Sequence, residues 1–409
     1  MITELTHKKN QLYLEKVLLK DIAEKYGTPC YVYSKSYICK TVKEYMSSLT
    51  KQDLMCFAVK ANSNLSILRI IAELGGGFDV VSGGELERVI LAGGNPKKVV
   101  FSGVGKSDDE IYYALKTQIK SINIESKSEL QRVINIAQRN NLSQEIALRI
   151  NPETTLETHP YLETGALYNK FGISFDELDS CLEIIKKQKH IILKGIAFHI
   201  GSGIKNFTEF QIALTKAIET YNGVNKNFRL SFLDVGGGLS PYTDEETINS
   251  FISKIKKELP SNINIIVEPG KSIIAKAGVL LTKALYLKKL ENNIIVVDAG
   301  MNDMIRVPLY QGKHPIINLS LRPKSKTPSM VVGPICESAD IFTKDYMYDV
   351  HEHDILAITD VGAYGFSMSS NYNSRPRACE VLVQDDLAKL IRQRENNKEN
   401  LALEIFDDN

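Results

Sequence analysis

Eight short apolar runs in the first two thirds of the chain constrain its fold more than any other feature. Most neighbouring runs lie about 20 to 35 residues apart, which leaves room for a helix and two loops. The segments 126–141 and 174–189 between them place their aliphatic residues on one helical face. The runs are residues 57–61, 78–82, 99–103, 121–125, 146–151, 195–201, 232–238 and 263–270.

This alternation predicts the α/β class and a parallel sheet. Eight strands predict closure into a (β/α)8 TIM-type barrel over residues 36–275, and an open doubly wound sheet is the alternative. After residue 275 the strand-like runs follow one another without clear helices between most of them. We therefore expect a second, C-terminal β domain, sandwich-like or barrel-like, over residues 276–409, to which residues 1–35 add strands. The charged stretch 387–406 predicts a terminal helix.

Charge and cysteine spacing limit the classes of function. Fifty Lys and Arg residues nearly cancel 49 Asp and Glu residues, and a net charge of +1 disfavours nucleic-acid binding through broad charge neutralisation. Cysteines 30, 39, 56, 181, 336 and 379 contain no CxxC spacing, which disfavours zinc ribbons and redox pairs. His351 and His353 lack the spacing of HExxH, so we expect no metal. Without a signal-like or membrane-spanning run, we expect a cytoplasmic protein with no membrane partner.

Polar residues stand at the carboxyl end of nearly every run. In a β/α barrel that end carries the active site. Each such residue alone is most often a solvated strand terminus, but their convergence on one rim favours a site. They are Lys60, Asp79, Ser82, Ser102, Glu125, Arg149, Asn151, His199, Ser202 and Glu268, together with the glycines at 236–238.

Three of these features fit one cofactor. Lys60 follows apolar residues, and a lysine near low-dielectric surroundings loses proton affinity and becomes a nucleophile suited to Schiff-base chemistry. Glycines 236–238 let backbone N–H groups approach an anion, although a plain tight turn explains them equally well. Neither GxGxxG nor GxxxxGK[ST] is complete, which disfavours dinucleotide binding and nucleotide hydrolysis. With the carboxylate of Glu268, the set fits pyridoxal phosphate, which needs an amine, a phosphate cradle and an acid at its ring nitrogen.

Longer motifs follow one another along nearly the whole chain. They are FAVKANSNLSILR (57–69), FDVVSGGEL (78–86), RINP (149–152), THPYLETG (158–165), KFGI (170–173), HIGS (199–202), DVGGGL (234–239), EPG (268–270), DAGMNDMIRVPLY (298–310), VVGPICES (331–338) and DVGAYGFSMSSNYNSRPR (360–377). In these motifs the chain resembles the diaminopimelate decarboxylases. They belong to the barrel-type (fold type III) pyridoxal-phosphate decarboxylases, with the ornithine and arginine decarboxylases. The resemblance implies a β/α barrel plus a C-terminal β domain.

The resemblance also implies roles around the cofactor. Lys60 would form the Schiff base, His199 would stack on the ring, and Glu268 would pair with the ring nitrogen. Asp79 and Arg149 would line the same pocket. The phosphate would be held by Ser202, Gly236, Gly237, Gly238, Gly270 and the Tyr364 hydroxyl.

For the substrate, the resemblance implies that Arg306 and Tyr310 bind a carboxylate, with Tyr364 nearby. Cys336 and Glu337 would reach across a homodimer interface, Cys336 as proton donor and Glu337 as the partner of the distal ammonium. Lys271 departs from the family, which usually has arginine directly after EPG. Lysine there keeps a charge for cofactor or substrate but loses the planar fork of arginine.

The activity implied is pyridoxal-phosphate-dependent decarboxylation of meso-2,6-diaminopimelate to L-lysine and CO2, the last step of lysine biosynthesis. Two alternatives remain, a related decarboxylase of the ornithine or arginine type and an inactive regulatory relative. A second substrate carboxylate needs a cation such as Arg306, which favours diaminopimelate. The joint presence of Lys60, Glu268 and Cys336 argues against an inactive relative.

Overall fold

A computed structural model describes residues 4–8, 10–154, 170–242, 247–260, 262–289 and 293–405. It divides into two compact units, Cys39–Ile273 and the combination of Met1–Ile38 with Ile274–Asn409. The motif at 158–165, and most of the long interval in which it falls, lie outside the described residues. No helix in the described part of the chain is long and apolar enough to cross a membrane.

Twenty strands and twelve α-helices are found in the described residues. The strands are β1 Leu5–Lys8, β2 Gln11–Leu14, β3 Val17–Leu18, β4 Cys30–Ser34, β5 Leu54–Ala58, β6 Gly77–Val80, β7 Val99–Phe101, β8 Ser121–Ile124, β9 Gln144–Arg149, β10 Ile191–Ala197, β11 Phe232–Asp234, β12 Asn264–Val267, β13 Gly278–Lys288, β14 Asn293–Val297, β15 Ile316–Asn318, β16 Lys324–Val332, β17 Ile341–Tyr348, β18 Ile355–Thr359, β19 Cys379–Gln384 and β20 Leu387–Arg392. The helices are α1 Leu19–Tyr26, α2 Lys35–Ser48, α3 Leu65–Glu73, α4 Gly83–Leu91, α5 Asp108–Thr117, α6 Lys127–Arg139, α7 Phe175–Lys186, α8 Phe207–Asn225, α9 Ile248–Glu258, α10 Lys271–Ile274, α11 Arg306–Tyr310 and α12 Asn397–Leu401.

The first unit is a closed barrel of eight parallel strands, β5 to β12. Each strand pairs with the next along the chain, and β12 returns to β5 with Val267 opposite Met55. All eight apolar runs of the sequence contribute a strand, so the predicted TIM-type barrel is confirmed. The runs are apolar because barrel strands are buried on both faces, by the interior on one side and by helices on the other.

The barrel helices begin where the sequence supplies a cap. Ser82, Ser107 and Ser126 each precede a helix and accept a hydrogen bond from the backbone N–H three residues later. This satisfies one of the four N–H groups that a helix start leaves unpaired. Helix α6 then buries an aliphatic face of Leu130, Val133, Ile134 and Ala137. The caps fix where each strand–helix loop ends, and these loops form the carboxyl rim of the barrel.

The second unit is built mainly from strands, as predicted. Its large sheet runs in the order β17-β16-β14-β13-β4-β19-β20, with β18 and β15 paired beside β13, and β1 to β3 form a small antiparallel sheet. The predicted terminal helix over 387–406 is wrong in its first part, because Leu387–Arg392 is strand β20 and pairs with β19. In the part of this range that the structure describes, up to residue 405, Asn397–Leu401 is the helical segment.

Candidate active site

Lys60 and Asp79 meet at the carboxyl rim of the barrel. Strand β5 ends at Ala58 and a short 3-10 turn, Val59–Ala61, carries Lys60. Its amine lies 2.5 Å from Oδ2 of Asp79, which is on the neighbouring strand β6 and fully buried. The lysine side chain itself is 36% exposed, so a ligand can reach its amine. The other carboxylate oxygen of Asp79 has no hydrogen-bond partner among the described residues.

Glu268 and Asp234 form a buried carboxyl pair. Glu268 directly follows β12, and its carboxyl group is hydrogen-bonded to that of Asp234 at the end of β11. Burial raises the pKa of Glu268 well above its usual range, and the negative charges of Asp234 and Asp79 raise it further. Burial also raises the pKa of Asp234 to about 6. Two carboxylates this close cannot both ionise readily, so the pair holds a proton near neutral pH.

The imidazole of His199 is fixed by the glycine turn after β11. Its Nδ1 accepts a hydrogen bond of 3.2 Å from the backbone N–H of Gly237. Burial lowers the pKa of His199 well below its usual range, and the positive charges of Arg149 and Lys60 lower it further. The ring is therefore neutral, with its proton on Nε2.

The three glycines at 236–238 cannot carry side chains without clashes. Gly236 and Gly238 have φ angles of 64° and 109°, a region that favours glycine. A Cβ on Gly237 would lie 2.2 Å from the backbone oxygen of Glu268. The chain thus leaves bare backbone at this point of the rim, which an anion can approach closely. The N–H groups of Gly236 and Gly237 donate to Asp234 and His199, so of these three glycines Gly238 is the one whose N–H can serve an anion.

Arg149 is held by Glu125 inside the rim. Its Nη1 lies 2.6 Å from Oε1 of Glu125, and both side chains are buried. The same carboxylate accepts backbone N–H bonds from Gly103 and Gly172, each of 2.9 Å. Arg149 also lies over the ring of Phe171, 4.9 Å from its centroid. A buried ion pair with this many hydrogen bonds fixes the guanidinium in one place.

The remaining barrel residues from the sequence prediction lie in neighbouring loops. Ser202 follows β10 in the same loop as His199. Gly270 packs its Cα against Ala58 and Ala61, where a Cβ would be 3.0 and 3.1 Å from their methyl carbons. Lys271 starts α10, and its ammonium lies 5.1 Å from the centroid of the Tyr242 ring.

Five predicted residues belong to the second unit, where they form two groups. Arg306 is the first residue of α11 and is only 7% exposed. Its guanidinium lies 5.6 Å from the ring centroid of Tyr310 and 5.4 Å from that of Tyr364. Cys336 and Glu337 are exposed on a separate loop after β16.

That loop is held by two side-chain contacts. The backbone N–H of Cys336 donates to Oδ1 of Asn373 at 3.0 Å, and the Tyr372 hydroxyl donates to Oε1 of Glu337 at 2.6 Å. The exposed pair is therefore presented in a defined orientation.

Three polar residues of the site were not singled out from the sequence. Asn123 on β8 donates to Asp234 at 3.0 Å and to Ser102 at 3.1 Å, across the barrel interior. Glu85 accepts the backbone N–H of Val81, and burial raises its pKa to about 7. A signal existed for Asn123 and Asp234, because each is a polar residue inside an otherwise apolar barrel strand.

The rim fits pyridoxal phosphate. An accessible amine stands beside a buried carboxylate that has one oxygen without a protein partner. The glycine turn offers a bare backbone cradle that a Cβ would fill. A protonated carboxyl pair lies at the same rim and can face a basic ring nitrogen. These are the amine, the phosphate cradle and the acid that this cofactor needs. No cluster of three or more potential metal ligands occurs in the described residues.

Comparison with known proteins agrees with this reading. Residues 35–275 match the family described as pyridoxal-dependent decarboxylase, pyridoxal binding domain. The chain is 43% identical to the diaminopimelate decarboxylase of Pseudomonas aeruginosa over 398 residues, covering 95% of each chain. It is 42% identical to that of Vibrio cholerae over 408 residues, covering 96% of each.

Solved structures show the same fold. The diaminopimelate decarboxylase of Helicobacter pylori complexed with L-lysine has a TM-score of 0.90 at 39% identity, covering 94% of this chain and 98% of that one. The enzyme of M. jannaschii in complex with L-lysine has a TM-score of 0.93 at 33% identity, covering 99% and 98%.

The barrel and its rim define a pyridoxal-phosphate-dependent decarboxylase. Within that class, the relatives described above that are 39–43% identical over nearly the full length are diaminopimelate decarboxylases. The chain belongs to the diaminopimelate decarboxylase family.

Proposed function

We propose that the chain converts meso-2,6-diaminopimelate to L-lysine and CO2 with pyridoxal phosphate as cofactor. The observation that carries the proposal is the meeting of Lys60, the Glu268 carboxyl pair and the bare glycine turn on one barrel rim. The complexes of two relatives with L-lysine support lysine as the product.

When bound, the cofactor supplies an electron sink for the pair released as the bond to the substrate carboxylate breaks. Lys60 would hold the cofactor by its aldehyde, and Asp79 would orient the amine of Lys60. Glu268 would hold the proton of the ring nitrogen, and its partner Asp234 would keep that carboxyl group in place. Neutral His199 would line the ring site without adding a competing positive charge.

The other predicted residues are assigned to the cofactor phosphate and to the substrate. We assign the cofactor phosphate to the backbone at 236–238, with Ser202, Gly270, Lys271 and the Tyr364 hydroxyl. Arg149 is fixed by Glu125 and lines the pocket. On the substrate side, Arg306 with Tyr310 binds the distal carboxylate, Glu337 binds the distal ammonium, and Lys271 and Tyr364 contribute contacts. Cys336 returns a proton to the substrate carbon. Completion of the active site by the second unit is part of this proposal.

The direct test is CO2 release by the cofactor-loaded protein from meso-diaminopimelate, with ornithine and arginine in parallel. Release from diaminopimelate, with lysine formed in equal amount, is the expected result. Release from ornithine or arginine instead would overturn the substrate assignment and keep the cofactor assignment. No release from any of the three would overturn the proposed activity.

We further propose a cytoplasmic homodimer whose active sites take Cys336 and Glu337 from the partner subunit. Both residues are exposed and held on a fixed loop, as expected for groups that act outside their own chain. The cytoplasmic location is an expectation from the sequence.

Subunit mixing tests whether each active site takes Cys336 from the partner subunit. Lys60→Ala and Cys336→Ala chains should each be inactive or nearly so. After unfolding and refolding together in equal amounts, about a quarter of the sites should regain both residues and activity. Mixing two Lys60→Ala preparations is the control and should restore nothing. Absence of recovery in a mixture shown to contain mixed dimers would place Cys336 in its own chain's site.

Replacing Gly237 with alanine should destabilise the protein and weaken cofactor binding. The new Cβ would meet the backbone oxygen of Glu268 at 2.2 Å, and backbone cannot move aside cheaply. We expect a loss of about 1–3 kcal/mol in the free energy of unfolding. Chemical unfolding measures this loss, and a fluorescence titration measures cofactor affinity.

Gly223→Ala is the matched control for that change. Gly223 lies in α8, and nothing stands within 4 Å of its Cβ position. Alanine there should raise stability by about 0.5–1 kcal/mol, because glycine disfavours helix interiors. Equal effects of Gly237→Ala and Gly223→Ala on stability and cofactor affinity would contradict the proposed role of the glycine turn in holding the phosphate.

Replacing Glu268 with glutamine should lower kcat by about 10²- to 10³-fold. Glutamine keeps the size of the side chain but offers no negative charge to a protonated ring nitrogen. The absorbance of the bound cofactor as a function of pH should change along with the rate. Ser102→Ala is the control, because it keeps the Glu268 carboxyl group and removes a 3.5 Å contact to its Oε1 together with the 3.1 Å hydrogen bond from Asn123, so kcat should stay within about threefold. A glutamine variant with the rate and spectrum of the original chain would rule out this role.

A further inference from the structure

Two cysteines far apart in the sequence are neighbours in the large sheet of the second unit. Cys30 opens β4 and Cys379 opens β19, and the two are direct partners in the parallel register. They are 0% and 2% exposed and share one hydrophobic core cluster. Adjacent strands lie about 4.8 Å apart, which falls inside the range of about 4.4–6.8 Å between the Cα atoms of a disulfide. The Cα spacing of these register partners is therefore compatible with a disulfide.

The two thiols differ in acidity. Their side chains are hydrogen-bonded to each other, and Nη2 of Arg394 lies 3.5 Å from Sγ of Cys379. The bond from Cys30 lowers the pKa of Cys379 to about 7, helped by Arg394 and opposed by burial and by the charge of Glu380. The same bond raises the pKa of Cys30, and burial adds to the rise. Cys379 is therefore the more acidic thiol of the pair.

The other buried cysteines lack this environment. Burial raises the pKa of Cys56 and of Cys181, and neither has a thiol or an arginine at its sulfur among the described residues. Reactivity toward oxidants follows thiolate content, so these two are internal controls. The sequence disfavoured redox pairs because no two cysteines have CxxC spacing. In the folded chain, the parallel register of β4 and β19 brings Cys30 and Cys379 together instead.

We propose that Cys30 and Cys379 form a redox-active dithiol that a peroxide converts into an intrachain disulfide. The Cys379 thiolate attacks one peroxide oxygen, the O–O bond breaks, and the departing hydroxide takes up a proton to leave as water. The resulting sulfenic acid is attacked by the sulfur of Cys30. The S–O bond breaks, the S–S bond forms, and a second water leaves with the Cys30 proton. Two thiols are oxidised by two electrons and one peroxide is reduced to two waters.

The burial of the Cys30 and Cys379 sulfurs limits which oxidants can reach them. Both sulfurs lie in the core, and Arg394, itself half-buried, covers the Cys379 side. Hydrogen peroxide is small enough to reach such a sulfur when the arginine side chain moves. A bulky disulfide such as oxidised glutathione is excluded. The adjacent Cys30 then closes the disulfide before a second peroxide can oxidise Cys379 further.

The test uses the full-length, cofactor-loaded chain in a Cys336→Ser background, which removes the exposed thiol. With one equivalent of hydrogen peroxide at pH 7.5 to 8 (about one unit above the thiolate pKa), we expect two thiols to disappear and the mass to fall by two hydrogens. Digestion without reductant should yield one cross-linked pair of peptides, containing Cys30 and Cys379. The thermal unfolding midpoint should rise by about 5 °C or more, because the cross-link closes a very long loop. Dithiothreitol should reverse all four changes.

Matched variants separate the roles of the two sulfurs. In Cys30→Ser the sulfenic acid of Cys379 should persist and be captured by dimedone added together with a denaturant, whereas Cys379→Ser should not react. Cys181→Ser should behave like the background chain, and Arg394→Gln should slow the reaction. Oxidised glutathione in place of peroxide should give no disulfide.

Several results would overturn the proposal. One is full recovery of every thiol after peroxide treatment and denaturation. Another is a disulfide or oxidised thiol that maps to Cys39, Cys56 or Cys181. Equal rates of peroxide oxidation in the Arg394→Gln and background chains would contradict the activation of Cys379 by Arg394. Peptide mapping of the unsubstituted chain gives the same answer if a variant fails to fold.

Discussion

Replacing Lys60 with alanine should reduce decarboxylation by about 10³- to 10⁴-fold or more, because the amine that holds and recovers the cofactor is lost. Lys60 is the one described lysine paired with Asp79, and that carboxylate is fully buried. Activity should be measured as CO2 release from meso-diaminopimelate. Borohydride should trap the cofactor covalently on the original chain and not on the variant, which gives a readout independent of turnover.

Lys97→Ala is the matched control for this substitution. Lys97 is an exposed lysine in the short helical turn before β7, at the opposite end of the barrel strands from the rim. Its loss should leave both CO2 release and borohydride trapping unchanged. Covalent trapping that survives in Lys60→Ala would move the Schiff base to another lysine, while trapping and activity lost in both variants would indicate damage to the fold.

The removal of Lys60 also leaves Asp79 as an unpaired buried carboxylate. We therefore expect the cofactor-free variant to unfold more easily than the original chain, because an isolated buried charge is costly. The double variant Lys60→Ala with Asp79→Asn should recover that stability and no activity. This separates the structural contribution of the pair from its chemical role.

The barrel could be predicted from the sequence because its signals are local. Each strand is a short apolar run buried on both faces, and several barrel helices carry their own side-chain cap and an apolar face. The error at Leu387–Arg392 has a different origin. It begins the charged stretch 387–406, and its pairing with β19 makes this first part a strand. Charge and local periodicity could not reveal a partner strand.

The candidate site also has residues that the sequence could predict and contacts that it could not. Lys60 and Glu268 could be proposed from strand-end position, since the rim of a barrel is set by topology. The hydrogen bond between Glu268 and Asp234, and the bond from Asn123 to Asp234 across the barrel interior, depend on three-dimensional closure. The same holds for Cys30 and Cys379, whose register follows from the parallel pairing of β4 and β19. Contacts of this kind leave no spacing pattern in a single sequence.

In the proposed site, Arg306 would account for the selection of diaminopimelate over substrates with one carboxylate. Its guanidinium is 7% exposed and lies over two tyrosine rings. Among the described residues no carboxylate lies within ion-pairing distance of it. A buried cation placed on aromatic rings without a protein counter-ion is stabilised when a ligand supplies the anion. The distal carboxylate of the substrate fits that need.

Replacing Arg306 with alanine should therefore lower kcat/KM for meso-diaminopimelate by roughly 10³- to 10⁴-fold, because the buried polar site loses its charge partner. Cofactor affinity and thermal stability should change little by comparison. The affinity for L-lysine, the product that keeps the distal carboxylate, should fall in parallel, and Arg306→Lys should restore part of both values. Arg322→Ala, which breaks a partly buried ion pair with Asp354, is the control and should keep both values. Unchanged kcat/KM and lysine affinity in Arg306→Ala would assign the distal carboxylate to another residue.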